Sequence, residues 1–244
     1  MSKHWVLVLS LSLNSLAAEP TGQQILKAVD ANITSDNKII ATKMIVRGRR
    51  SSRTIESLSY IAGTEKSYTE FASPPREAGT KMLKLGEQLW IYSPQTDRTL
   101  LISGHMLRQS VMGSDLSYED MMEDPQLAPF YAADIVGEAI VADRSCWILA
   151  LASKSQDVAY SSRKLWVDKE RFIIMQEERF ARSGVALKSL QVRQVQRQQG
   201  RWVATHLVFK DQLLAGEGTE FIITSLQLNA EIPDHIFTKS MLRK

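Results

Sequence analysis

Apolar and polar residues alternate with a period of two through most of this chain, in short runs cut by glycine, proline or charged turns. That period sends successive side chains to opposite faces of a strand. Segments 38–46, 54–62 and 65–71 read this way, the last closed by Pro74-Pro75. Segments 80–85 and 88–92 form a hairpin around Gly86-Glu87, and 99–102 ends at Ser103-Gly104. The ladder resumes with 135–141, 146–151, 163–167 and 172–178, the last two joined by a charged turn at 168–171, and closes with 185–192, 202–209 and 220–228. Strands at this spacing without helices between them predict antiparallel pairing in a sandwich or barrel.

Some of these strands have one wet face. In 202–210, Val203, Thr205, Leu207 and Phe209 face one way, while Trp202, His206 and Lys210 face the other. Others are apolar on both sides: in EQLWIYSP, Leu89 and Ile91 alternate with Trp90 and Tyr92. Two apolar faces need two covers. Helices on one side supply one cover, and the other requires a sheet that curls around something. A helix is predicted at 21–32, where Thr21 and Gln24 have capping-box spacing and Ile25, Leu26 and Val29 share a face. The ending IPDHIFTKSML predicts a last turn with Ile236 and Phe237 tucked in. No repeat or linker interrupts residues 18–244, which read as one domain.

The stretch RQSVMGSDLSYED, Arg108 to Asp120, breaks the ladder. Leu107 and Val111 sit four apart between His105 and Met112, as on a helix that Gly113 would end in the left-handed conformation. Ser114 or Ser117 then caps a second short helix, with Glu119 and Asp120 in its first turn. A nucleophile elbow needs a second glycine that GSDLS lacks, and the histidines are isolated from one another, so neither catalytic residues nor a metal site nor a cofactor is predicted. Methionine is flexible and favoured where varied apolar ligands bind. A lid of short helices over a curled sheet is therefore expected, with Trp90, Tyr92, Met106, Leu107, Val111, Met112, Leu116, Tyr118, Met121 and Phe130 lining an apolar cavity. Arg108, Gly113, Ser114, Asp115, Ser117, Glu119 and Asp120 are expected to form the hinge, through capping and through pairing of Arg108 with the carboxylates.

The N-terminus narrows the compartment. Lys3 and His4, the apolar run Trp5 to Leu13 and the small residues Ser15 and Ala17 read as a secretory signal over residues 1–17. No run approaches the ~18–20 apolar residues of a membrane span. A lone cysteine, Cys146, excludes an internal disulfide and is expected in the core; an exported chain of this kind suits a periplasm. The formal net charge of +3 argues against a nucleic-acid partner. Its local exception is RGRRSSR, Arg47 to Arg53, read either as a solvated hairpin tip or as a contact for an anionic headgroup.

The run LWIYSP, Arg98, the ISG at Ile102 to Gly104 and the long motif at 108–120 together resemble the outer-membrane lipoprotein-sorting family, the LolA-like group, and within it a larger, less characterised branch. The resemblance implies a mainly β fold: a curved, unclosed antiparallel β-barrel of about 11 strands whose concave face is covered by short helices. It implies a periplasmic carrier that shields acyl chains of a lipoprotein or lipid, with an inner-membrane exporter or an outer-membrane acceptor as partner; a monomer is expected. The other reading it leaves is a sensor module that binds such a cargo and signals to a membrane partner.

Overall fold

The computed structural model describes residues 19–48, 51–156 and 158–244. The signal segment expected at 1–17, and Arg49 and Arg50 of the run RGRRSSR, lie outside the described residues.

Thirteen strands form one antiparallel sheet. The first meander contains β1 (Asn37–Arg47), β2 (Ser52–Ala62), β3 (Lys66–Ser73), β4 (Lys81–Leu85), β5 (Gln88–Ser93) and β6 (Arg98–Ile102). The second contains β7 (Tyr131–Val141), β8 (Arg144–Ser153), β9 (Ser162–Asp168), β10 (Ile174–Phe180), β11 (Ala186–Gln198), β12 (Arg201–Asp211) and β13 (Thr219–Leu228). The strand order runs from β6 through β1 to β13 and on to β7, so β1 pairs with β13 and joins the meanders, while β6 and β7 are the two free edges. The barrel is therefore unclosed, as expected; it has 13 strands where about 11 were expected, and the short strands β4 to β6 extend one edge. The chain must pass from one edge to the other between β6 and β7, and residues 103–130 make that crossing.

Three layers cover the sheet. Helix α1 (Gly22–Ile33) has the predicted capping box, Thr21 Oγ1 accepting from the Gln24 N–H while the Gln24 side chain accepts from the Thr21 N–H. Its apolar stripe, Ile25, Leu26 and Val29, is buried against Leu127, Tyr131, Leu149, Leu151, Leu165 and Val167. Each such side chain contributes about 1.5–3 kcal/mol by leaving water. The crossing segment lies on Met44, Val46, Ile55, Phe71, Met82, Leu89 and Ile102. The 3-10 turns Asp234–Phe237 and Lys239–Arg243 cover the other face of the first meander, Phe237 and Leu242 packing on Tyr68, Leu83 and Trp90. Cys146 is buried, and burial pushes its thiol pKa up.

Helix α1 starts so close to β7 that only glycine fits there. A Cβ on Gly22 would lie 2.4 Å from the Ala133 carbonyl oxygen and 2.8 Å from its carbon, which are backbone atoms that cannot rotate away. Gly22→Ala is therefore expected to destabilise the protein by about 1–3 kcal/mol, against alanine's better helix propensity. An unchanged melting temperature would show that the helix can lift without loss.

Candidate functional site

A cavity of about 460 Å³ lies between the concave face, α1 and the end of the crossing segment. Its floor is a row of inward side chains: Ile40 on β1; Phe221, Ile223, Leu226 and Leu228 on β13; Val203, Leu207 and Phe209 on β12; Leu190 on β11. Val29 and Ile33 of α1, Pro125, Leu127 and Phe172 close it from the other sides. The size falls within the roughly 300–1,000 Å³ of small-molecule pockets.

One local irregularity makes the β13 wall possible. Phe221 and Ile223 are odd-numbered, Leu226 and Leu228 even, so a regular strand would turn one pair outward. The register with β1 shifts here: Ala41 pairs with Ser225 and Thr42 with Ile223. The extra residue, Thr224, puts both pairs on the concave side.

The ten residues expected to line a cavity are placed otherwise. Met106, Leu107, Met112, Leu116 and Tyr118 do come together, packed on the concave face of the first meander, and Val111 is buried within the crossing segment. This cluster also touches Phe209 and Phe221, which wall the cavity, so the two apolar regions adjoin. Met121 and Phe130 are at the surface, 37% and 39% exposed. Alternation along β5 sends Leu89 and Ile91 to the concave side and Trp90 and Tyr92 to the opposite one. There the Lys239 ammonium lies 4.0 Å from the Trp90 ring, so these two rings stand behind the sheet.

The crossing segment is less helical than its spacing suggests. The helix predicted from His105 to Met112 is two 3-10 turns, Gly104–Arg108 and Val111–Gly113. Val111 N–H donates to the Leu116 carbonyl (2.7 Å) and Tyr118 N–H to the Gln109 carbonyl (3.1 Å), which folds 109–118 into a tight bridged loop. Such bonds use the groups a helix would need. Gly113 does adopt the left-handed conformation (φ 69), and so does Met112 (φ 51). Ser117 caps the short helix α2 (Tyr118–Met122) in a capping box with Asp120.

The hinge carboxylates pair with the sheet. Asp115 accepts from Asp211 N–H (2.9 Å) and from Thr219 Oγ1 (2.7 Å), which ties the GSD turn to β12 and β13. The Arg53 guanidinium donates to the Met112 carbonyl. Ser114 is buried, and its hydroxyl accepts from Leu116 N–H at 3.2 Å. Arg108 is exposed, and among the described residues neither it nor Glu119 makes an ion pair, so the pairing expected between Arg108 and the carboxylates is replaced by bonds to strands. In the basic hairpin Arg47 pairs with Glu220, and Arg53 also reaches Glu77 at 3.5 Å.

At one end of the cavity the wall becomes ionic. Arg163 on β9 donates to Glu177 on β10 (2.7 Å) and to Glu123 after α2. Arg179 on β10 donates to Glu177 (3.0 Å), Glu123 (3.2 Å) and Asp120 (3.3 Å), and the Tyr160 hydroxyl donates to Asp120 (2.5 Å). Burial disfavours the Glu177 carboxylate, but Arg179 and Arg163 outweigh it and hold its pKa below the ordinary range. Asp120 behaves alike: burial raises its pKa, while the bonds from Tyr160 and Ser117 and the charge of Arg179 bring it down. Sequence reasoning missed this cluster, although one signal was present: Arg163 shares a strand face with Leu165 and Val167, a charge in an apolar stripe.

A family model described as an uncharacterized protein matches residues 63–244. No curated protein matches the sequence. Among solved structures, a DUF1329 family protein from Desulfovibrio piger has a TM-score of 0.81 at 22% identity, covering 91% of this chain and 97% of that one. A putative outer membrane lipoprotein-sorting protein domain from Vibrio parahaemolyticus has a TM-score of 0.80 at 20% identity, with 91% and 98% covered. A LolA superfamily protein from Nitrosomonas europaea has a TM-score of 0.76 at 22% identity, with 91% and 100% covered. At these identities the likeness shows a shared fold.

Proposed function

The chain belongs to the family of uncharacterized proteins matched over residues 63–244 and has the LolA-like fold, and from that premise we propose that it carries a lipid or lipoprotein across the periplasm with the acyl chains held in the cavity. The observation that carries this reading is the cavity itself, walled mainly by apolar side chains and adjoining an apolar crossing segment. Each buried methylene contributes about 0.8 kcal/mol, so hiding a long acyl chain is worth roughly 10 kcal/mol or more. No helix among the described residues is long and apolar enough to cross a membrane. The solved relatives include a putative outer membrane lipoprotein-sorting domain, which fits the same cargo class. Segment 103–130, anchored by hydrogen bonds at its GSD turn, serves as the lid, and an inner-membrane exporter and an outer-membrane acceptor are the expected partners.

Native mass spectrometry of protein purified from periplasm, followed by organic extraction, tests this. A bound mass that extracts as an acylated species is the expected result. A clean unliganded mass, with no lipid taken up from added vesicles, would overturn the carrier reading. The lid is testable separately. Asp115→Ala removes two hydrogen bonds that close the GSD turn on the sheet, so lipid exchange with vesicles is expected to accelerate roughly tenfold, the equivalent of ~1.4 kcal/mol. Unchanged stopped-flow exchange would mean that the turn does not gate the cavity.

A further inference from the structure

The ionic end of the cavity is complete in charge and incomplete in hydrogen bonds. Among the described residues, two buried side-chain polar atoms have no hydrogen-bond partner, Arg163 Nε and Thr205 Oγ1. Arg163 is part of the cavity wall, and Thr205 lies on β12 between two residues of that wall, Val203 and Leu207. More than nine in ten buried polar groups in folded proteins are paired, because an orphan bears its full desolvation cost. The two orphans are well apart: the Arg163 row runs through Arg179 and Lys188 to Asp211, roughly 20 Å along β12 from Thr205.

Arg163 has an environment that defines a ligand. The residue is only 3% exposed. One terminal nitrogen serves Glu177 and the other Glu123, and the rings of Tyr131 and Tyr160 lie 4.8 and 5.3 Å from the guanidinium carbon. Of the three guanidinium nitrogens, Nε is the one with no hydrogen-bond partner. The two guanidiniums of Arg163 and Arg179 are already shared among three carboxylates, Glu177, Glu123 and Asp120. The nearby Lys188 ammonium is held by Asp211 at 2.8 Å. At this end of the cavity no positive charge is left over; Lys38, elsewhere in the wall, donates to the Ile33 carbonyl.

A donor without surplus charge discriminates between ligands. An anionic head, such as a free fatty carboxylate, would meet Glu123 and Glu177 in a poorly solvating wall, where like charges repel strongly. A plain hydrocarbon would leave the Nε–H unpaired. A neutral carbonyl accepts the bond and adds no charge. Resting on the carrier reading above, we propose that the Arg163 Nε–H is the point at which the cavity recognises the carbonyl of an ester- or amide-linked acyl chain, so that acylated molecules, and not free fatty acids, are its ligands.

Displacement of the uncharged fluorophore N-phenyl-1-naphthylamine from delipidated protein by methyl laurate, laurate and dodecane at pH 8 tests this. Methyl laurate is expected to bind about tenfold tighter than either of the others, the worth of ~1.4 kcal/mol for one hydrogen bond. The carbonyl stretch of carbonyl-¹³C methyl laurate should move to lower wavenumber on binding. In Arg163→Lys, which keeps the charge and removes the planar Nε–H, the preference of ester over alkane should shrink to about twofold. Equal affinities for ester and alkane in the unaltered protein would overturn the assignment to Arg163 and leave the cavity as an acyl site. An ester preference that persists in Arg163→Lys would overturn it as well. Failure of all three to displace the probe would sink both the assignment and the carrier reading. Should the variant fail to fold, the ligand series and the carbonyl stretch in the unaltered protein decide alone.

Discussion

Replacing Glu177 by glutamine is expected to lower the unfolding free energy by about 3–5 kcal/mol, the usual cost of removing one partner from a buried ion pair. Glu177 is the centre of the cluster: its two oxygens accept from Arg163 and Arg179, both nearly buried, and its own side chain is 4% exposed. Glutamine keeps the shape and loses the charge, which leaves two guanidiniums facing Glu123 and Asp120 alone. The pH dependence should follow the same groups. Glu177 and Asp120 have folded pKa values below their unfolded ones, so their contribution is full above about pH 4.5 and is lost as the pH falls through the lower folded values. Asp30 acts in the opposite sense: burial raises its pKa, so it is easier to protonate when folded and softens the acid loss slightly. Urea unfolding at a series of pH values should show a steep acid decline in the unaltered protein and a shallower one in Glu177→Gln. A loss under 1 kcal/mol at pH 7 would mean that water reaches the cluster and the pairs are worth little.

The fold was legible because its information is local. Period-two alternation located the strands, the Thr21 and Gln24 pair located the start of α1, and the double-faced strands announced a second cover. The site was less legible because its information is not local. Alternation says which residues of β5 share a face, but only the docking of Phe237 and Leu242 decides that Trp90 and Tyr92 belong to the outer one. The cavity floor depends on β1 pairing with β13 and on a single extra residue in β13, neither of which leaves a mark in hydropathy. The ionic wall joins Asp120, Tyr160, Arg163, Glu177 and Arg179 from four separate elements, so no spacing rule collects them. The segment at 105–112 misled for a physical reason. Leu107 and Val111 have helical spacing, but the amide of Val111 bonds to Leu116 and not back along a helix.

An aspartate at Leu207 is expected to weaken lipid binding by more than 100-fold, while lysine at Met112 or Met121 should cost far less. Leu207 is on β12 in the cavity floor, next to Val192 on β11 and Phe221 on β13. It is only half-buried, so in the empty protein a carboxylate there keeps part of its hydration and the fold survives. Filling the cavity with acyl chain strips that water. Desolvating an unpaired carboxylate costs several kcal/mol, and each 1.4 kcal/mol is tenfold in affinity. Met112 is on the crossing segment, outside the cavity wall, and Met121 is 37% exposed, so a lysine at either can keep its ammonium in water while cargo is bound. Vesicle-transfer affinity measured beside thermal melting separates the two regions, since folding losses appear in both readouts and ligand losses in one. The reverse order, with Met112→Lys abolishing binding and Leu207→Asp tolerated, would place the acyl chains under the crossing segment, against Met44, Ile55 and Met82. The present cavity would then be only an adjoining void, and opening of the segment at 103–130 would be the event that creates the binding site.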